Sequence, residues 1–129
     1  MKFKVVKETK PRLSTFGKYK AVAVHHQTIG KEDLIAEVAE YAHTSEGTVI
    51  AVLGSMADVV NRHLRNGDKV RLRDLGMLKL EIESDVVEEA AKFRAKKHIR
   101  GVRLHFLPES FKGSPELYKD IKYERDYSV

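Results

Sequence analysis

Lys69, Arg71 and Arg73 alternate with Val70 and Leu72 in a chain of 129 residues. A period of two puts the three cations on one side of a strand and the two apolar side chains on the other. Lys79 falls in the next strand-like stretch, Met77 to about Glu83. A denser group follows: Lys92, Arg94, Lys96, Lys97, Arg100 and Arg103 lie within twelve residues that contain no acid. Such side chains make charge-assisted hydrogen bonds to phosphate oxygens. Six cations without an acid also repel one another unless a polyanion compensates them. These ten residues form a candidate nucleic-acid-binding set. The plain alternative is a solvated face, since exposed lysine and arginine are the norm.

The remaining chemistry-bearing residues point to no catalytic or metal site. The chain has no cysteine, which removes disulfides, thiolate ligands and thiol nucleophiles together. His25 and His26 are adjacent, and His98 and His105 are seven apart, so each pair points to opposite faces of an extended strand. There is no His-Glu-x-x-His, no carboxylate pair and no glycine-rich phosphate loop. The expectation is a protein that is not an enzyme, with no cofactor, metal or small-molecule substrate. The five tyrosines are scattered and read as packing or edge residues, not a platform for stacked single strands.

The elements that would position the cations read as follows. Residues 1–27 form a β extension: Phe3 and Val5, then Lys18 to Val24, have strand character around a Pro11–Gly17 loop. Residues 28–129 form the main domain. Leu34, Ile35, Val38, Ala39 and Ala42 give a first helix over about 30–42, with Glu32, Asp33, Glu37 and Glu40 outward. Ser45 caps a second helix over 46–65, with Val49, Val52, Leu53, Met56, Val60 and Leu64 in a stripe that Ile50 and Val59 widen. Helix one cannot cover so broad a stripe, which implies a second subunit. Gly54 between Ala51 and Ala57 suggests a close helix crossing, and Asn66-Gly67 ends the helix. Strands follow at 69–73, 77–83 and 99–107. Ser114-Pro115-Glu116 reads as the start of a third helix, and the tail KYERDYSV frays or adds an edge strand. Net charge is +5, and residues 2–20 carry seven cations against Glu8, whereas helix one is acidic. Charge segregated in this way suits an anionic partner on one face. No apolar run reaches the roughly 20 residues of a membrane span, and the opening MKFKVVKETKPRL lacks a signal peptide's apolar stretch. A cytoplasmic protein without membrane contact is expected.

The segments DLIAEVAEYAHTSEGTVIAVLGSMADVVNRHLRNGDKVRLRDLGMLKLEI and IRGVRLHFLPESFKGSPELYKDI, in that order, resemble the HU and integration-host-factor family of bacterial histone-like DNA-binding proteins. The KYKAVAV strand and the long middle insert resemble its divergent HU-HIG branch. The resemblance implies an α+β fold with a two-helix base, a three-stranded antiparallel sheet bearing an arm, and a short C-terminal helix. It also implies a homodimer on double-stranded DNA. Gly67-Asp68 matches the helix-to-strand turn, while Asp74-Leu75-Gly76 keeps only the last glycine of the family's Gly-Phe-Gly. Lys112 to Ser114 fall where the family offers helix-entry amides to phosphate, which adds Lys112 and Ser114 to the candidate set. The family's Arg-Asn-Pro arm tip is absent, no proline occurs between Pro11 and Pro108, and Asp85, Glu88 and Glu89 bring negative charge to the arm. Val86, Val87 and Phe93 are the available apolar wedges, though each reads first as a packing residue.

The function expected is an architectural protein that organises the nucleoid by coating or bending DNA. Binding would be phosphate-directed and weakly sequence-specific, because neither helix offers a basic recognition face. A dimer neutralising about 8 to 10 phosphates would show a log-log salt slope near −7 to −9. The runner-up is an assembly module that keeps the dimer and uses the acidic insert for a protein contact. The DNA reading depends on the cations forming one continuous electropositive surface.

Overall fold

The computed structural model describes residues 1–111 and 114–128, and side chains at all of these except 111 and 114–116. The chain divides into two units, Met1–Leu34 with Tyr118–Val129, and Ile35–Leu117. The division falls inside helix α1 (Lys31–Tyr41).

In the second unit, local signals set the helix ends. His43 takes a left-handed φ of 54° and stops α1. Ser45 then caps α2 (Glu46–Arg65), accepting a 3.1 Å bond from the Thr48 N–H. At the far end Gly67 adopts φ 87°, its N–H donates to the Leu64 carbonyl, and the Asp68 N–H donates to the His63 carbonyl. That pair of bonds is a Schellman stop. It turns the chain into β3 (Val70–Leu72), which pairs antiparallel with β4 (Gly76–Ser84), and β4 pairs in turn with β5 (Ile99–Pro108). A bulge between Glu83 and Ser84 ends the regular ladder. A short hairpin, β6 (Ser110–Phe111) with β7 (Ser114–Pro115), follows.

The third helix expected from Ser114-Pro115-Glu116 is not formed. Ser114 and Pro115 are strand residues, and only a single 3-10 turn, Glu116–Tyr118, comes after them. Pairing with Phe111 holds Ser114 extended and overrides its capping propensity. The close crossing expected at Gly54 is also missing from the single chain, since nothing lies within 4 Å of where its Cβ would stand.

The first unit is a sheet of order β2-β1-β8. Strand β1 (Lys2–Lys7) pairs antiparallel with β2 (Tyr19–Ala23) and parallel with β8 (Glu124–Arg125), so the tail supplies an edge strand. Glu8 is buried at the end of this ladder and accepts from Lys20 Nζ at 2.9 Å and from the Lys10 N–H at 3.1 Å.

Among the described residues, Ala39, Val49 and Leu64 are the buried apolar ones. Most of the α2 stripe is open: Val52 is 61% exposed, and Ile50, Leu53, Met56 and Val59 are exposed too. The accessible area is 11374 Å². Two separately folded units of these sizes would together expose only about 8,000 Å².

Two outcomes follow from this architecture. A Cβ at Gly76 would stand 2.8 Å from the Phe106 ring and collide with the Leu107 carbonyl oxygen. Gly76→Ala should therefore destabilise the ribbon by about 2 kcal/mol, seen as a lower urea midpoint with unchanged slope. Glu8 is held below its ordinary value of 4.5 by the Lys20 and Lys10 hydrogen bonds. A depressed folded pKa means the contribution is complete above the unfolded value and is lost as pH falls through the folded one. Thermal midpoints should drop on acidification below about pH 4.5, and Glu8→Gln should remove that part of the drop.

Candidate nucleic-acid interface

Strands β4 and β5 form a ribbon whose pleat sorts the side chains. Leu78 faces Phe106, Leu80 faces Leu104 and Ile82 faces Val102 on one side, continued by Val70 and Leu72 of β3. The other side carries Lys79 opposite His105, Glu81 opposite Arg103, and Arg71 opposite Met77. The apolar side is uncovered in the single chain, with Ile82 and Val102 at least 60% exposed.

The cations of the polar side come with carboxylates of the same chain. Glu81 lies 3.5 Å from Lys79 and 3.6 Å from Arg103. Partial burial raises the Glu81 pKa, but the His105, Lys79 and Arg103 charges outweigh it and hold the carboxyl below its ordinary value. Arg71 donates to Glu109 at 3.1 Å, and Arg73, almost fully exposed, lies 3.9 Å from Asp74. Beyond the ribbon, Lys92 pairs with Glu89 at 3.7 Å and Arg100 with Asp85 at 3.0 Å. Six of the ten expected cations thus have an intramolecular carboxylate, and the single electropositive surface expected from sequence is interrupted. Exposed pairs of this kind contribute about 0–1 kcal/mol each, so they lower the local potential without locking the side chains.

The remaining cations differ. Residues 85–98 join β4 to β5 through a 3-10 turn (Ala90–Lys92) and a one-turn helix α3 (Ala95–His98). The Asp85 N–H donates to the His98 carbonyl at 2.7 Å. The Arg94 N–H donates to His98 Nδ1 at 2.8 Å, and the Phe93 and His98 rings sit 5.1 Å apart. Arg94 Nη1 donates to the Ala91 and Phe93 carbonyls, both at 3.0 Å, so this guanidinium holds the tip together. Lys96 and Lys97 project from α3, and with Lys69 they have no carboxylate partner among the described residues. Val86 is 97% exposed at the same tip, which overturns its reading as a packing residue; Phe93 does pack, on His98. Lys112 and Gly113 lie outside the described residues, as does the Ser114 side chain, and so does the helix entry expected over Lys112–Ser114; the backbone of Ser114 itself belongs to strand β7.

Sequence reasoning put Asp85 and Glu89 on the arm but did not pair them with Arg100 and Lys92, and it missed the parts of Glu81 and Glu109. Glu81 was accessible to it, because alternation puts it on the face of Lys79. Its bond to Arg103 depends on the cross-strand register, and the Arg71–Glu109 pair spans 38 positions. Among the described residues no group of three His, Asp or Glu is arranged to hold a metal ion. No helix among them is long and apolar enough to cross a membrane.

Two helices leading into an antiparallel ribbon with a folded tip, and a separate small sheet in the first unit, make this a mixed α+β protein. Residues 1–114 match the family model HU-HIG, described as an HU domain fused to wHTH, Ig or a glycine-rich motif, and the chain belongs to that family. A crystal structure of a candidate bacterial DNA-binding protein from Bacteroides vulgatus ATCC 8482 is similar in fold, with a TM-score of 0.61 at 17% sequence identity. The match covers 96% of this chain and 47% of that one, so this chain spans about half the length of its structural neighbour. No curated protein matches the chain.

Proposed function

We propose that this chain is an architectural, histone-like protein that binds double-stranded DNA through phosphates, with little sequence preference, and organises the bacterial nucleoid in the cytoplasm. The observation that carries the reading is the Lys96–Lys97 pair, free of carboxylates at the end of a ribbon within an HU-HIG domain. The structural neighbour described as a candidate DNA-binding protein supports it. The phosphate-binding set is headed by Lys69, Lys96 and Lys97. The carboxylate-paired cations join it only where phosphate displaces their partners. Residues 28–129 carry this activity, and residues 1–27 are an appendage.

The binding unit is a homodimer. The open α2 stripe and the open apolar side of the ribbon are two faces that water disfavours. The area in excess of two compact units is about 3,400 Å² per chain, or about 6,700 Å² over two chains. That is more than the roughly 2,000–5,000 Å² in total that most obligate interfaces bury, so a dimer would cover a large part of it. A second reading, an assembly module, draws support from the Lys79–Glu81, Arg103–Glu81 and Arg71–Glu109 pairs, which leave the ribbon's polar side close to neutral.

Fluorescence anisotropy of a random duplex at several salt concentrations separates the two readings. Three free cations per chain give about six phosphate contacts per dimer, and a log-log slope near −5. Reversing Lys96 and Lys97 to Glu should bring the slope to about −2 or abolish binding, and Glu81→Gln, which releases Lys79 and Arg103, should steepen it. No binding at low salt overturns the DNA reading and favours assembly. For the dimer, sedimentation equilibrium should give twice the chain mass at micromolar concentration, and Val52→Asp should lower it with loss of helicity. A folded wild-type monomer would exclude the dimer.

A further inference from the structure

Strand β2 is the outer strand of the first unit's sheet, and its free edge carries unpaired backbone groups. The Glu8 N–H donates to the Lys18 carbonyl at 2.8 Å and the Val24 N–H to the Lys2 carbonyl at 2.9 Å. Hydrogen-bonded pairs alternate along an antiparallel ladder, so Lys20, Val22 and Val24 turn their amides toward β1, while the Lys18 N–H donates to the Thr15 carbonyl at 2.9 Å and the Gly17 N–H to the Glu8 carbonyl at 3.1 Å. Tyr19, Ala21 and Ala23 turn theirs outward, where no described backbone group meets them. Protein edges are normally blunted by proline, a bulge or an outward lysine. Strand β2 has no proline or bulge, and its Lys20 is drawn back onto Glu8 at 2.9 Å.

The sheet also lacks a core of its own, since among the described residues no apolar residue of the first unit is buried. Strand β8 adds only two residues, and so small a sheet needs further strands or cover to be stable. Beside the edge, Met1, Phe3, Ala21, Val22, Ala23 and Tyr123 line an apolar depression of about 340 Å³.

We infer that β2 pairs with β2 of a second copy, antiparallel about a two-fold axis at Ala21. This register sets Ala21 against Ala21 and Tyr19 against Ala23 of the second copy, matching the outward amides along the whole strand. Each Tyr19, 69% exposed on the face that carries Phe3, Ala21 and Ala23, then lies over the other copy's depression. Lys20 opposes Val22, so no like charges meet. The contact uses none of the residues of α2 or the ribbon, giving the chain a second self-association surface. That the result is a row of dimers rests on the dimer proposed above; the strand pairing does not.

Because the chain has no cysteine, single-cysteine variants of the full protein test the register directly. Residues directly opposite in a hydrogen-bonded pair have Cα atoms about 5.5 Å apart, within disulfide reach. Under mild oxidation Ala21→Cys should be trapped mostly as a covalent dimer, whereas Lys20→Cys, two positions out of register with itself, should not. In sedimentation velocity the wild type should show species larger than those of Ala21→Lys as concentration rises. The two should have the same circular dichroism and the same affinity for the random duplex. Absence of the Ala21→Cys cross-link, or identical sedimentation of wild type and Ala21→Lys, overturns the proposal. A wild type that self-associates but binds no DNA leaves it standing and removes only the DNA reading.

Discussion

The register between β4 and β5 decides nearly everything else in the second unit. Pairing Leu78 with Phe106 fixes, through the pleat, that Lys79 meets His105 and Glu81 meets Arg103. A slip of β4 by one residue would send Leu78, Leu80 and Ile82 to the charged side and Glu81 to the apolar one, against an unmoved β5. Gly76 secures the start of that register, because the backbone and ring of β5 pass too close for any side chain there. The bulge at Glu83–Ser84 marks where it ends and where the tip takes over its own hydrogen bonding. Both the apolar face and the neutralised polar face are products of one ladder.

Much of this was legible in the sequence, and the reasons are local. Helix α2 begins at a capping serine and ends at Asn66-Gly67, signals that act within one turn. The strands followed from alternation over Lys69–Arg73 and Ile99–Leu107. The third helix failed because Ser114 pairs with Phe111 and Pro115 with Ser110, a ladder that propensity does not encode. The site was less legible than the fold. Counting cations found Lys96 and Lys97, but charge neutralisation depends on which residues face each other across strands. A run of six cations without a local acid acquired Glu89, Asp85 and Glu81 from outside the run.

The exposed α2 stripe and the exposed ribbon face pose one problem twice. Val52, Ile50 and Val59 on the helix, and Ile82, Val102 and Leu104 on the ribbon, are among the chain's large apolar residues, and none is covered. Gly54 belongs to this picture. With nothing near its Cβ position it gives no packing benefit within the chain, while its helix propensity lies about 1 kcal/mol below that of alanine. A residue that weakens a helix without tightening the same chain is best accounted for by a neighbour that approaches from outside.

The ion pairs bear on strength and on selectivity in different ways. A phosphate that takes Arg103 from Glu81 exchanges one exposed charge pair for another, a change of order 1 kcal/mol at most. The released carboxylate then stays beside the nucleic acid and repels it. Lys79, Glu81 and Arg103 together carry one net positive charge, not two, and Arg71 with Glu109 carries none. On the proposed reading, long-range attraction would come from cations without a carboxylate, Lys96 and Lys97 among them, offset by Asp85, Glu88 and Glu89 in the same connection. The ribbon's polar side would become attractive only where phosphate displaces Glu81 or Glu109. Contact made first at the tip, with the broader surface recruited by exchange, would give weak discrimination between sequences. It would also tie affinity closely to ionic strength, because unpaired cations act through a field that salt screens within about 8 Å.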